Sequence, residues 1–277
     1  LGFAFHAFYR ADQPSPDGNR DYEPIALSLL DRGAYEWVPG TPTAQREPGY
    51  ILFIAGAYAV SGRSPWSVIL IQVLVGAVTP WLLWRLGAAL FGNFSGRFAF
   101  WAAVFYPYFI YYSGMLLSET LYVALVIPGF WLLCSSLARK MEPQTARLGA
   151  GAGAVMGLAA LCRTEAAPIM LVLWLILACV CVFKRWSWRA WVLGVICWAI
   201  PIMGWCWRSQ QVAGRFALDV HGGVTMLHGT LLFDLNEVDT GVAMDAVKEM
   251  PFYQRAQGLS EAEKDKVYMA EAFKFMR

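Results

Sequence analysis

The sequence predicts an all-α polytopic membrane protein: a bundle of transmembrane helices with a long outer loop that carries juxtamembrane helices. The chain is 58% hydrophobic and 15% charged, whereas a soluble domain is about 45–50% apolar and about 25% charged. Its mean hydropathy is +0.45. Between Trp66 and Trp207 apolar runs follow one another, parted by short connections in which basic residues collect.

Taken in order, Leu1 to Tyr9 is apolar but too short to span, and it lacks the initiating Met and basic flank of a signal peptide. It is expected to be the end of a truncated first transmembrane helix, residues 1–9, in a fragment of a longer protein. Residues 10–65 read as the outer loop, polar and proline-rich, holding Asp12, Asp17, Asp21, Glu23, Asp31, Glu36 and Glu47. Inside it, Tyr22, Ile25, Ala26, Leu29 and Leu30 recur at helical spacing, with Pro24 in the first turn where it is tolerated. That pattern predicts an amphipathic helix at the membrane surface. Gly49 to Gly62 is apolar but short of the roughly 20 residues of a span, so an interfacial or re-entrant segment is expected.

Residues 66–208 are expected to make six spans: Trp66–Phe91, Phe98–Gly114, Leu116–Ala138, Leu148–Cys162, Ala166–Phe183 and Ala190–Trp207. The connections near 85–97, 139–147 and 184–189 gather Arg85, Arg97, Arg139, Lys140, Arg147, Lys184, Arg185 and Arg189 against Glu142 alone, which marks the cytoplasmic ends. Glu119, Arg163, Glu165 and Arg208 then fall on the outer side with the loop and with residues 209–277. In a bacterium that side is the periplasm, and the membrane is the inner one. The tail opens an extracytoplasmic region; Ser260-x-x-Glu263 reads as a capping box, with Val267, Ala270 and Phe273 at helical spacing behind it.

The net charge of +2 carries no information about partners, and nothing supports nucleic-acid binding, because the basic residues are scattered at helix ends rather than gathered on one face. Six cysteines sit in or beside apolar runs and act as small hydrophobes, with no zinc-site spacing. The Gly149-x-Gly151-x-x-Ala154 run resembles a dinucleotide fingerprint only superficially, because no strand precedes it. Gly149, Gly153 and Gly157 instead form a small-residue ridge for close helix packing. No P-loop, nucleophile elbow or HExxH is present.

Among the polar residues, Asp21 has two readings, an N-cap carboxylate or a functional acid. Arg46 could bind a phosphate through its planar fork or snorkel to headgroups. Glu119 lies between two apolar runs, where an acid is costly and marks a site unless it is a solvated turn residue. Arg163 and Glu165 flank Thr164 and can simply pair. His6, His221 and His228 are too few and too separated for a metal site; His221-Gly222-Gly223 marks a tight loop. Tyr106, Tyr108, Tyr111 and Tyr112 suit an interfacial belt or a lipid groove.

The order of several short motifs adds to this. Asp21-Tyr22 with Ile25-Ala26, then Arg46-x-Pro48-Gly49-Tyr50, Leu90-Phe91-Gly92, Tyr106-Pro107, Ser118-Glu119, Leu161-Cys162-Arg163 and Trp207-Arg208 resembles the GT-C membrane glycosyltransferases. Within these it is similar to the dolichyl-phosphate-mannose protein mannosyltransferases and the bacterial aminoarabinose transferase group. The resemblance spans roughly residues 9 to 230 and implies a GT-C-like bundle that transfers sugar from a polyprenyl-phosphate donor, with inversion, to a lipid, glycan or protein acceptor. It implies Asp21 as general base, with Asp17 the alternative, since the family sets its acid a few residues ahead of the tyrosine and Asp21 adjoins Tyr22. It implies Arg46, Arg163 and Arg208 as ligands of the donor phosphate. Glu119 would assist the acceptor or a bound divalent metal ion, the one candidate cofactor. Here Thr164 follows Arg163 where the family commonly has proline.

A transporter or flippase for a lipid-linked substrate would use the same charges without chemistry, but it predicts midplane sites and internal repeats, and no convincing repeat is found. A structural assembly subunit is the third reading, in which Asp21 and Glu119 would be replaceable.

Overall fold

The computed structural model describes residues 22–139, 143–184, 187–234 and 250–276, and it divides into two compact units. The first contains residues up to Pro39 and Glu47–Gly204; the second contains Gly40–Arg46 and Trp205–Arg277. Residues 1–9, Asp17 and Asp21 lie outside the described residues.

In the first unit, α1 (Glu23–Arg32) is the amphipathic helix expected from the sequence. It opens on Pro24 and closes on Gly33, whose φ of 65° lets its N–H bond Leu29 O. Ile25, Ala26 and Ser28 are its buried residues. A short strand, β1 (Glu36–Val38), follows. The short apolar run becomes helix α2 (Pro48–Ser61), started by Pro48 and nearly buried along Tyr50, Ile51 and Ile54. The two helices share one apolar core, into which Val68 and Ile69 of the next helix also pack.

That next helix, α3 (Pro65–Phe91), is long enough to cross a membrane, at about 40 Å from a 1.5 Å rise. Gly92, at φ 88°, ends it and allows a reversal into α4 (Asn93–Val104). The returning helix runs close: a Cβ on Gly96 would stand 2.7 Å from Trp84 O. The run Phe98–Gly114 is not one helix. Pro107 removes an N–H and biases Tyr106 toward extended backbone (ψ 114°), so α4 stops and α5 (Pro107–Ser113) begins afresh.

The remaining helices of this unit are α6 (Glu119–Ala138), α7 (Pro143–Ala160), α8 (Ala166–Lys184) and α9 (Trp188–Ala213). Helix α6 starts three residues later than the apolar run, with Ser118 at its N-cap. Helix α7 begins earlier than the run at Leu148 and carries Gln144 and Arg147 in its first turns. Among the described residues, α3, α6, α8 and α9 are long and apolar enough to span. Many of their large side chains point outward, including Leu74, Ile169, Leu175 and Ile200. That inversion of the usual soluble pattern fits helices solvated by lipid. The protein is a multi-pass integral membrane protein.

The glycine ridge on α7 does what its spacing predicts. A Cβ on Gly149 would meet Ala190 O at 2.5 Å, one on Gly157 would meet Trp198 O at 2.8 Å, and one on Gly153 would overlap Gly194 O. Successive turns of α7 therefore lie backbone to backbone against α9. Gly151 faces elsewhere, where a Cβ would find only Leu132 Cδ1 at 3.6 Å. Gly153→Leu is expected to destabilise the unit by about 3 kcal/mol or more through overpacking, while Gly151→Ala stays near wild type. Thermal unfolding of the two variants in detergent checks this; equal stabilities would contradict it.

The second unit collects β2 (Thr41–Pro42), the end of α9 from Trp205, α10 (Gly222–Asp234), α11 (Pro251–Ala256) and α12 (Glu261–Phe275). The capping box forms, with Ser260 N–H donating to Glu263 Oε2 at 3.0 Å. The buried face of α12 is Ala262, Asp265, Tyr268 and Ala272, while Phe273 is exposed. A charged residue anchors this face: Asp265 pairs with Arg215 and accepts the Gly223 N–H at 2.5 Å. A hydrophobicity count passes over it for that reason.

Candidate active site

The first unit brings two of the predicted residues into direct contact. Arg163 Nη1 meets Glu119 Oε1 at 2.6 Å, and Arg163 Nη2 lies 3.4 Å from Glu165 Oε1. Glu119 sits in the first turn of α6, where its charge complements the helix N-terminus. Arg163 occupies the turn between α7 and α8, its backbone N–H held by Ala159 O at 3.1 Å. Burial disfavours the charged guanidinium, but the carboxylates of Glu119 and Glu165 outweigh that and hold its pKa above the ordinary arginine value. Glu119 Oε2 is buried and takes no hydrogen bond from any described residue. A buried carboxylate oxygen left in that state is costly, so it is a place for a donor from a ligand.

The Arg163 turn is gripped by the segment that opens α2. Glu47 Oε1 accepts the Thr164 N–H at 2.9 Å and the Thr164 hydroxyl at 2.8 Å. Gly49 N–H donates to Leu161 O at 2.7 Å. One residue further on, Tyr50 donates its hydroxyl to Gln72 Oε1 at 2.8 Å, and Gln72 Nε2 donates to Tyr112 O at 2.8 Å and Met115 O at 2.5 Å. Tyr22 packs edge-on against Tyr50, with ring centroids 5.0 Å apart. Four of the motifs read from the sequence, at Tyr22, Glu47–Tyr50, Glu119 and Leu161–Arg163, are thus joined in one unit.

Two connecting residues were missed in the sequence. Gln72 is fully buried in the apolar α3, and a lone amide in a spanning run is the signal that marks it. Thr164 stood out only as a departure from proline; its N–H and hydroxyl are the donors that Glu47 uses.

Arg46 and Arg208 belong to the second unit. Arg46 Nη2 lies 3.4 Å from His221 Nε2. Arg208 Nη1 donates to Thr43 O at 2.8 Å, and its guanidinium stacks 4.6 Å above the Trp205 ring. Thr43 and Ala44, between β2 and Arg46, are held by Glu261, which accepts from the Thr43 hydroxyl at 2.6 Å and the Ala44 N–H at 2.9 Å. Asp21 and Asp17 fall outside the described residues. Among the described residues no three of His, Cys, Asp and Glu gather to hold a metal ion, and Glu119 faces a guanidinium instead.

Comparison with known proteins gives two findings. The crystal structure of ArnT from Cupriavidus metallidurans bound to undecaprenyl phosphate superposes with a TM-score of 0.61 at 17% identity, over 94% of this chain and 50% of that one. The apo form gives a TM-score of 0.55 at 16% identity, over 95% and 51%. The chain therefore spans about half the length of these structures, and it shares their GT-C fold. No curated protein shows a significant match by sequence. The model of the dolichyl-phosphate-mannose-protein mannosyltransferase family matches residues 44–205, a segment holding Arg46, Glu47, Glu119 and Arg163. That match covers more than half of the chain, which belongs to the dolichyl-phosphate-mannose-protein mannosyltransferase family.

Proposed function

We propose that this protein is an integral-membrane glycosyltransferase that moves a sugar from a polyprenyl-phosphate donor to a lipid, glycan or protein acceptor. The observation that carries the reading is the joined cluster of Glu119, Arg163, Glu47 and Tyr50, built from motifs that lie apart in the chain of a family member. Crystallisation of a protein of the same fold with undecaprenyl phosphate supports a donor of that class. A lipid donor also needs only a groove among membrane helices, with no nucleotide-binding domain.

The acid at Asp21, or Asp17, takes the proton from an acceptor hydroxyl as its oxygen attacks the anomeric carbon. The bond from that carbon to the phosphate oxygen breaks, its electron pair leaves with the polyprenyl phosphate, and the sugar inverts. Arg163 holds the departing phosphate, with Arg46 and Arg208 as further candidates. Arg163 has donors to spare for this, since a guanidinium carries five N–H groups and its Nη2 contact to Glu165 is long. Glu119 orients Arg163 through one oxygen and offers the other to the acceptor. The site faces the outer side, the periplasm in a bacterium, opposite the basic connections.

The test uses full-length protein in proteoliposomes with labelled polyprenyl-phosphate sugars and a cell-envelope extract as acceptor. Label is expected in the acceptor fraction, and Glu119→Gln is expected to lower transfer by about tenfold to a hundredfold. Absence of transfer from every such donor, with folded protein, would overturn the reading.

A further inference from the structure

Glu47 stands at the N-cap of α2, yet its side chain makes no bond to its own helix. A residue at this position ordinarily caps the first turn. Here Pro48 follows at N1 and the carboxylate reaches instead to Thr164, on the turn between α7 and α8. It is 7% exposed. A buried acid with two donors on one oxygen is a strong, directional tie.

Gly49 supplies a second tie two residues on, through its N–H to Leu161 O. The two ties, three hydrogen bonds in all, fall on either side of Cys162 and Arg163, so the segment is held at both ends. Contact is close enough that only glycine fits: a Cβ on Gly49 would stand 2.7 Å from both Leu161 O and Cys162 Sγ. Cys162 is buried beneath the clamp, and burial together with the Glu47 charge pushes its thiol pKa up to about 12. Between the two anchored ends, Arg163 has its guanidinium 2.6 Å from Glu119.

We propose that Glu47 is a positioning residue for glycosyl transfer, one that fixes Arg163 through Thr164 and touches no substrate itself. The role rests on the transferase reading above. It follows that the carboxylate acts through its acceptor geometry. An amide oxygen at the same place can accept the same two bonds, whereas a methyl group cannot. It also follows that Glu47 and Arg163 act as one unit, because the clamp matters only through what it places. Displacing a charge-stabilising group by about 1 Å costs on the order of a hundredfold in rate.

The experiment has two arms on full-length protein in proteoliposomes. In the first, Glu47→Ala is expected to lower kcat for transfer by about tenfold to a hundredfold, with Glu47→Gln restoring most of it and Thr164→Val giving an intermediate loss. Glu47→Ala added to Arg163→Ala is expected to cost little more than Arg163→Ala alone. In the second arm, Cys162 is kept as the sole cysteine and its labelling by a maleimide is timed. Glu47→Ala is expected to speed labelling, and Glu47→Gln to leave it slow. Faster labelling with unchanged transfer would overturn the positioning role while leaving the transferase standing. An equal further loss in the Arg163→Ala background would do the same, since it would show that Glu47 acts independently. A wild type with no transfer would overturn the transferase reading and the role with it, and slow labelling would then still report the clamp.

Discussion

Arg163→Ala is expected to lower sugar transfer by about 10²–10³-fold, the scale of one preorganised donor at a point where charge develops. The charge in question appears on the phosphate as the glycosidic bond breaks, and it needs a cation that stays ionised. Burial alone would weaken Arg163, but the Glu119 and Glu165 carboxylates keep it protonated throughout the working pH range. No pH dependence of transfer is therefore expected from Arg163 itself. Arg163→Lys keeps the charge and loses the planar fork, so it should fall between alanine and wild type. Arg163→Ala leaves Glu119 without its 2.6 Å partner, so thermal unfolding is measured beside transfer. Wild-type transfer in a folded Arg163→Ala protein would remove Arg163 from the phosphate site.

Asp21→Asn should cost about 10²–10⁴-fold, the range for a positioned general base. Asp17→Asn is the comparison. Both lie outside the described residues, and the preference for Asp21 comes from the family resemblance, in which the acid of the first outer loop aligns best with Asp21. Tyr22 is packed on Tyr50 and Tyr58 donates its hydroxyl to Glu23, tying the start of α1 to α2, while Arg63, just past α2, pairs with Asp31 near the end of α1. The amide is close in size to the acid but cannot take a proton, so the loss should appear in kcat with donor binding retained. Full activity in Asp21→Asn with loss in Asp17→Asn would reverse the assignment.

The membrane class, the amphipathic α1 and the glycine ridge of α7 were legible because each is a periodic pattern in one local stretch. Helix lengths were less so. Composition over 98–114 is apolar throughout, but Pro107 breaks the helix there, and a hydropathy run does not register a missing N–H. The buried face of α12 is not announced by apolar spacing for a related reason: Asp265 belongs to it because Arg215 and the Gly223 N–H, both distant in sequence, satisfy its charge.

At the site, the family resemblance named the residues and left their pairing open. Arg163 with Glu165 was the local pair to expect, yet the shorter contact is to Glu119, at 2.6 Å against 3.4 Å. That preference depends on how α6 and α7 pack. Likewise Glu47 and Thr164 lie 117 residues apart, and no local pattern announces their bond. The family motifs were a better guide than periodicity here, because they mark residues that meet only in three dimensions.

The most direct test of glycosyl transfer is the fate of the donor. Full-length protein is incubated with a polyprenyl-phosphate sugar labelled in both sugar and lipid, with an envelope acceptor. The account predicts free polyprenyl phosphate released one for one with sugar appearing in acceptor, of inverted anomeric configuration, and release that fails in Arg163→Ala and Asp21→Asn. Intact donor recovered on the opposite leaflet, with no polyprenyl phosphate freed, would contradict it and make the protein a transporter of a lipid-linked sugar.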